Sequence, residues 1–141
     1  MAPARSPFMK TIAAILVAFA AIATGCVTPF RAPADVAHLK LEAVASPLMS
    51  VDKIWLERKD GPLVVRGYVS PELRVEDTTV THLDVTLLDG NGRTLKSSVE
   101  YFQPRQILRT RRFRSAEYRV MLDPLPAGTA TIRVAAHEGA H

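Results

Sequence analysis

The stretch Val80-Thr-His-Leu-Asp-Val-Thr-Leu-Leu-Asp-Gly-Asn-Gly-Arg-Thr-Leu-Lys-Ser-Ser-Val-Glu-Tyr-Phe102 decides the fold class. Leu83, Val85 and Leu87 alternate with His82, Asp84 and Thr86. A period of two puts every second side chain on the same side of a strand, so this run has one apolar and one polar face. Asp89-Gly90-Asn91-Gly92 follows, and Asn and Gly tolerate the positive φ that a tight hairpin needs. Thr94 to Phe102 returns as the partner strand, with Val99 and Tyr101 on one face.

The same pattern extends in both directions. Toward the C-terminus, Ala116, Tyr118, Val120 and Leu122 mark a strand, and Asp123-Pro124-Leu125-Pro126-Ala127-Gly128 turns the chain. Ala130, Ile132, Val134 and Ala136 mark the last strand. Toward the N-terminus, Leu63, Val65, Gly67 and Val69 share a face, and Ser70-Pro71 stops that strand. Lys59-Asp60-Gly61-Pro62 is a turn, since glycine and proline each interrupt a ladder for a backbone reason. Ser50 to Arg58 places Ile54 and Leu56 on one face and Trp55 on the other. His38 to Val44 alternates Leu39, Leu41 and Ala43 with polar residues and ends at Ser46-Pro47. Seven short strands, most of them about 8–12 residues apart, predict an all-β domain, an antiparallel sandwich or barrel. No stretch has helical periodicity, and there is no internal repeat.

Within this pattern, Tyr118-Arg-Val-Met-Leu-Asp-Pro-Leu-Pro-Ala-Gly-Thr-Ala-Thr-Ile-Arg-Val134 resembles the late strands of bacterial immunoglobulin-like and fibronectin-type-III-like domains, in which an L-P-x-G turn joins two strands. Val80 to Ser98 is similar to small bacterial lipoproteins of that fold. The resemblance covers roughly residues 50–137 and implies a single immunoglobulin-like sandwich. Ala130 departs from it, since a large residue often stands two positions after that glycine.

The first part of the chain reads differently. Ile12 to Ala23 is an unbroken apolar run of 12 residues preceded by Lys10 and Arg5. About 20 residues are needed to cross a bilayer as a helix, so this run fits an export signal instead. Met9 begins a more compact version of that signal, which makes residues 1–8 an expected upstream extension. Ala23-Thr24-Gly25-Cys26 ends the run and resembles the lipobox of bacterial lipoproteins, with Ala23 where leucine is commonest. The resemblance implies cleavage before Cys26, a diacylglyceryl group on its thiol and acylation of the new amine. Acyl chains contribute about 0.8 kcal/mol per buried CH₂, and more than one makes the anchoring stable. Cys26 is also the chain's single cysteine, which has no internal disulfide partner. Val27 in place of aspartate after it implies delivery to the outer membrane, facing the periplasm. The expected organisation is a signal peptide over 1–25, a lipidated tether over 26–37 with Pro29 and Pro33, and a β domain over 38–141.

Of the 18 Lys and Arg residues, Arg5 and Lys10 lie in the signal, which leaves 16 basic against 14 acidic side chains and a net charge of +2. So balanced a chain lacks the concentrated basic face with which a nucleic-acid binder displaces counterions.

Candidate chemistry is sparse. There is no G-x-S-x-G, Walker A or dinucleotide fingerprint. His82 and Asp84 share a strand face, which reads as a solvated contact. His38, His82, His137 and His141 are the four histidines, and His137-Glu-Gly-Ala-His141 formally matches H-E-x-x-H. That spacing joins two imidazoles on a helix, which Gly139 disfavours, so His137 and His141 are weak metal candidates. The densest local feature is basic: Arg105, Arg109, Arg111, Arg112 and Arg114 fall within ten residues, interleaved with Ile107, Leu108 and Phe113. Guanidinium groups grip phosphate and carboxylate in a bidentate manner, so the run is a candidate contact for an anionic partner. The plain alternative is a solvated loop or a charged strand edge. The expectation is therefore a non-catalytic, cofactor-free envelope lipoprotein whose sandwich serves as an interaction or structural module. Its expected partners are the membrane, through the anchor, and another envelope protein or anionic envelope component. A periplasmic metal-binding or chaperone-like lipoprotein is the alternative.

Overall fold

A computed structural model of the chain describes residues 31–58, 61–72, 75, 77–108 and 114–139. The expected signal segment, Cys26, Arg109, Arg111, Arg112 and His141 lie outside the described residues. Seven strands follow a 3₁₀ turn at Ala34–Val36: β1 (Lys40–Val44), β2 (Met49–Arg58), β3 (Leu63–Pro71), β4 (Thr81–Asp89), β5 (Thr94–Glu100), β6 (Ala116–Met121) and β7 (Thr129–Glu138). They form two sheets, one in the order β1-β7-β4-β5 and one in the order β2-β3-β6.

The period-two pattern places the core as expected. Leu83, Val85 and Leu87 of β4 stand beside Ala136, Val134 and Ile132 of β7, and all six are buried. From the other sheet, Met49, Leu56, Leu63, Val65, Val69, Ala116, Tyr118 and Val120 join the same core cluster. Gly67 has the glycine this close packing needs, because a Cβ there would collide with the Lys53 carbonyl and the Tyr118 ring.

Two features depart from the expected fold, and a third decides what alternation left open. First, β1 pairs with β7 in parallel, so the sandwich is not wholly antiparallel. Both strands begin at the same end of the molecule, and alternation carries no information about strand direction. Second, β2 contains a register shift between Asp52 and Ile54, with Lys53 at φ 39°. The extra residue resets the alternation, so Val51 and Ile54 both pack against the core although three positions apart. Third, the face of β5 that carries Val99 is exposed, as is Tyr101 beyond it, and Phe102 is the fully buried aromatic. β5 is an edge strand, with Lys96 opposite Leu87 and Ser98 opposite Val85. Polar residues there suit an edge, since they discourage pairing with another chain.

The hairpin is where Asp89-Gly90-Asn91-Gly92 predicts it. Asp89 Oδ1 accepts the backbone N–H groups of Asn91 at 2.8 Å and Arg93 at 2.9 Å, and Gly92 has φ 79°.

Candidate functional site

Strand registers sort the connections onto two poles. Lys40 pairs with Thr131, Asp89 with Thr129, and Val64 with Met121. The chain's entry into β1, the β2–β3 and β6–β7 turns and the β4–β5 hairpin therefore share one end, called here the entry pole. The β1–β2, β3–β4 and β5–β6 connections and the end of β7 share the opposite, far pole. The entry is fastened by an ion pair from Arg58 to Asp35 at 3.1 Å and by the buried Val36.

The arginine run belongs to the β5–β6 connection, and so to the far pole. Of its five arginines, Arg105 and Arg114 are among the described residues, and both lie outside the strands. Arg105 is half-buried, with its guanidinium carbon 4.0 Å from the centroid of the Tyr101 ring and 5.8 Å from that of Phe102. Its Nη2 donates to the Thr79 carbonyl. The fully buried Thr78 hydroxyl donates to the Arg105 carbonyl at 2.7 Å and accepts the Ile107 N–H at 2.9 Å. Asp77 completes the turn by accepting the Thr79 N–H and hydroxyl at 2.8 and 2.6 Å, bonds that hold its carboxyl below the usual carboxylate range. Beside this fixed loop, Val80, Tyr101 and Leu108 are exposed by 49, 54 and 62%. Arg114 is exposed as well.

A second constellation lies on the outward face of the four-stranded sheet, at the same end of the strands. His82 of β4 and His137 of β7 are direct cross-strand partners, and Asp84 follows His82 on the same face. His82 Nε2 is 3.6 Å from Asp84 Oδ1, and His137 Nδ1 is 3.1 Å from Asp84 Oδ2. The two imidazoles meet edge to face at a centroid separation of 5.1 Å. His82 is buried, Asp84 half-buried and His137 exposed.

His82 and Asp84 share a face as expected, but their contact is not a solvated one, since His82 is buried, and its third member is His137, expected instead to pair with His141. β7 continues through Glu138, so residues 137–138 are strand and the helical reading of H-E-x-x-H does not apply. On that strand Glu138 accepts the Leu48 N–H at 3.1 Å. A histidine in the last strand and an H-x-D on an earlier one are the only sequence signals, and the register that joins them is not local.

On the outward face of the smaller sheet, Arg66 bridges Glu57, at 2.7 Å, and Glu117. It also lies 5.7 Å from the Trp55 ring, which packs against Tyr68. These bonds raise the Arg66 pKa above the ordinary guanidinium value and bind all three strands of that sheet side to side.

Comparison of the chain with protein-family models, with curated proteins and with solved structures gives no match.

Proposed function

We propose that this chain is a lipid-anchored protein of the bacterial envelope. Its sandwich, of the immunoglobulin-like type, is a non-catalytic interaction module that presents the far pole to an anionic protein partner in the periplasm. One observation carries the reading: the strand directions separate the chain's entry from the loop that bears the arginines, Tyr101 and Leu108. The seven peptide steps from Cys26 to Pro33 reach at most about 25 Å when extended. A ten-residue strand such as β2 is itself roughly 33 Å long. An anchor at Cys26 therefore favours an outward-facing far pole over one lying on the headgroups of its own leaflet. The anion is accordingly sought on a partner, where guanidinium groups and an aromatic supply a contact rich in directional bonds.

A photo-crosslinking amino acid in place of Leu108, and separately in place of Asn91 on the hairpin of the entry pole, tests this in the native envelope. A discrete adduct from position 108 and none from position 91 is expected. Replacing Arg109, Arg111 and Arg112 together by Ser should weaken that adduct, with circular dichroism of the variant to verify that the fold is kept. Salt above roughly 0.5 M should weaken it in the same way. Equal adducts from both poles, or an adduct indifferent to the triple replacement, would overturn the reading.

A further inference from the structure

The geometry points to a divalent transition-metal site formed by His82, Asp84 and His137, an ion of the zinc, copper and nickel class held between β4 and β7.

The case begins with backbone position. His82 and Asp84 are two apart on β4, so the pleat aims both side chains at the same face. His137 is the residue directly across from His82 on β7, and cross-strand partners hold their Cβ atoms about 5 Å apart. β4 is an interior strand, hydrogen-bonded to β7 on one side and to β5 on the other. The three ligand-bearing residues thus stand on a rigid surface, where a ligand set keeps its geometry better than on loops.

The distances are close to those a metal demands. Zinc lies about 2.0–2.2 Å from imidazole nitrogen or carboxylate oxygen, so two ligand atoms of a tetrahedral ion are about 3.4 Å apart. The two histidine–carboxylate separations, 3.6 Å from His82 to Asp84 Oδ1 and 3.1 Å from His137 to Oδ2, bracket that value, each at a different oxygen of the carboxylate. One ligand atom from each residue can be chosen so that all three lie within 4.8 Å of one another. Closing that gap falls to His137, whose side chain is 57% exposed. The buried His82 supplies the fixed end of the site, with its side chain 4% exposed.

Ligand chemistry selects the ion. Two imidazoles and one carboxylate suit zinc, copper and nickel, whereas magnesium and calcium prefer shells made wholly of oxygen. A single carboxylate opposite a divalent ion leaves one positive charge. Three protein ligands also leave a fourth tetrahedral position for water or for a group from another molecule. This inference does not depend on the lipid anchor or on the arginine-bearing loop.

The test uses the full chain, purified without an affinity tag and titrated with zinc chloride against a competing chromophoric chelator. Saturation at one equivalent is expected. His137→Ala should lower the affinity by at least the ten- to hundredfold that is typical even of groups that only orient a ligand. Its exposed position makes it the variant expected to keep the fold, which circular dichroism would verify. Asp84→Asn should weaken binding in the same direction, while His141→Ala should leave it unchanged. Cys26 is common to all four proteins and cancels in the comparison. With copper(II), electron paramagnetic resonance should show coupling to two imidazole nitrogens, and to one in His137→Ala. Absence of saturable binding for zinc, copper and nickel would overturn the proposal. So would equal affinity of His137→Ala and the parent chain, or a loss in His141→Ala as large as that in His137→Ala.

Discussion

Tyr118 is 1% exposed and has no hydrogen-bond partner for its hydroxyl among the described residues. A buried hydroxyl that gives up water and receives nothing in return costs about 1–3 kcal/mol. Its ring remains useful, filling the space left by Gly67 against β3. Tyr118→Phe keeps the ring and removes the unpaired oxygen, so stability should be unchanged or rise by up to about 1 kcal/mol in urea unfolding. Burial also pushes the Tyr118 phenol well above its ordinary value of 10.0. Below that pH the phenol is protonated in both folded and unfolded chains, and it contributes no pH dependence. Above it the unfolded chain ionises while the folded chain does not, so stability falls as pH rises. The stability of the parent relative to Tyr118→Phe should therefore drop by up to about 1.4 kcal/mol per pH unit above 10. Urea curves for both proteins at about pH 8 and about pH 11 check this, and a constant difference would mean that the phenol reaches water.

At the scale of elements, β4 and β7 carry both the core and the His–Asp–His cluster, on opposite faces of the same pair. Leu87 and Ile132 face each other across them and are 2% and 0% exposed. Truncating either to Ala removes buried methyl groups and leaves a cavity, at a cost of about 2–5 kcal/mol. Losses below about 1 kcal/mol at both positions would contradict the observed strand phases. The phases of β4 and β7 were legible because each alternates without interruption. β2 was legible only in part, since one bulged residue at Lys53 divides it into two runs whose phases do not match. At β5, alternation put Val99 and Tyr101 on one face without deciding whether that face points inward. An edge strand places polar residues on the side that faces its neighbour sheet, so Val99 and Tyr101 resemble core residues without being buried.

For the whole molecule, the proposed relation between a lipid anchor and the far pole rests on Cys26. Serine oxygen does not serve in the transfer that forms the thioether, so Cys26→Ser should abolish incorporation of labelled fatty acid and should remove the acyl-dependent part of membrane retention. Incorporation at the parent level in the variant would refute the lipoprotein reading and, with it, the argument from tether reach. The zinc titration would still stand, because the positions of His82, Asp84 and His137 are set by strand register alone.

What the sequence determined by itself is local. Alternation along each strand, hairpin chemistry at Asp89–Gly92, the turn at Gly128 and the apolar run before Cys26 each depend on residues a few positions apart. From these alone followed the all-β class, the seven strands and most of the buried residues. Only the tertiary structure decided which strands are neighbours, that β1 runs parallel to β7, and that the arginine-bearing connection lies opposite the chain's entry. The candidate metal cluster was decided there too. His82 and His137 are separated by most of the second half of the chain, and nothing in either one's sequence neighbourhood specifies the other. They meet because burying Leu83, Val85 and Leu87 against Ala136, Val134 and Ile132 selects one register. In a sheet, a slip of one residue would turn the whole apolar set to solvent. Packing the inner face thus fixes what stands side by side on the outer one.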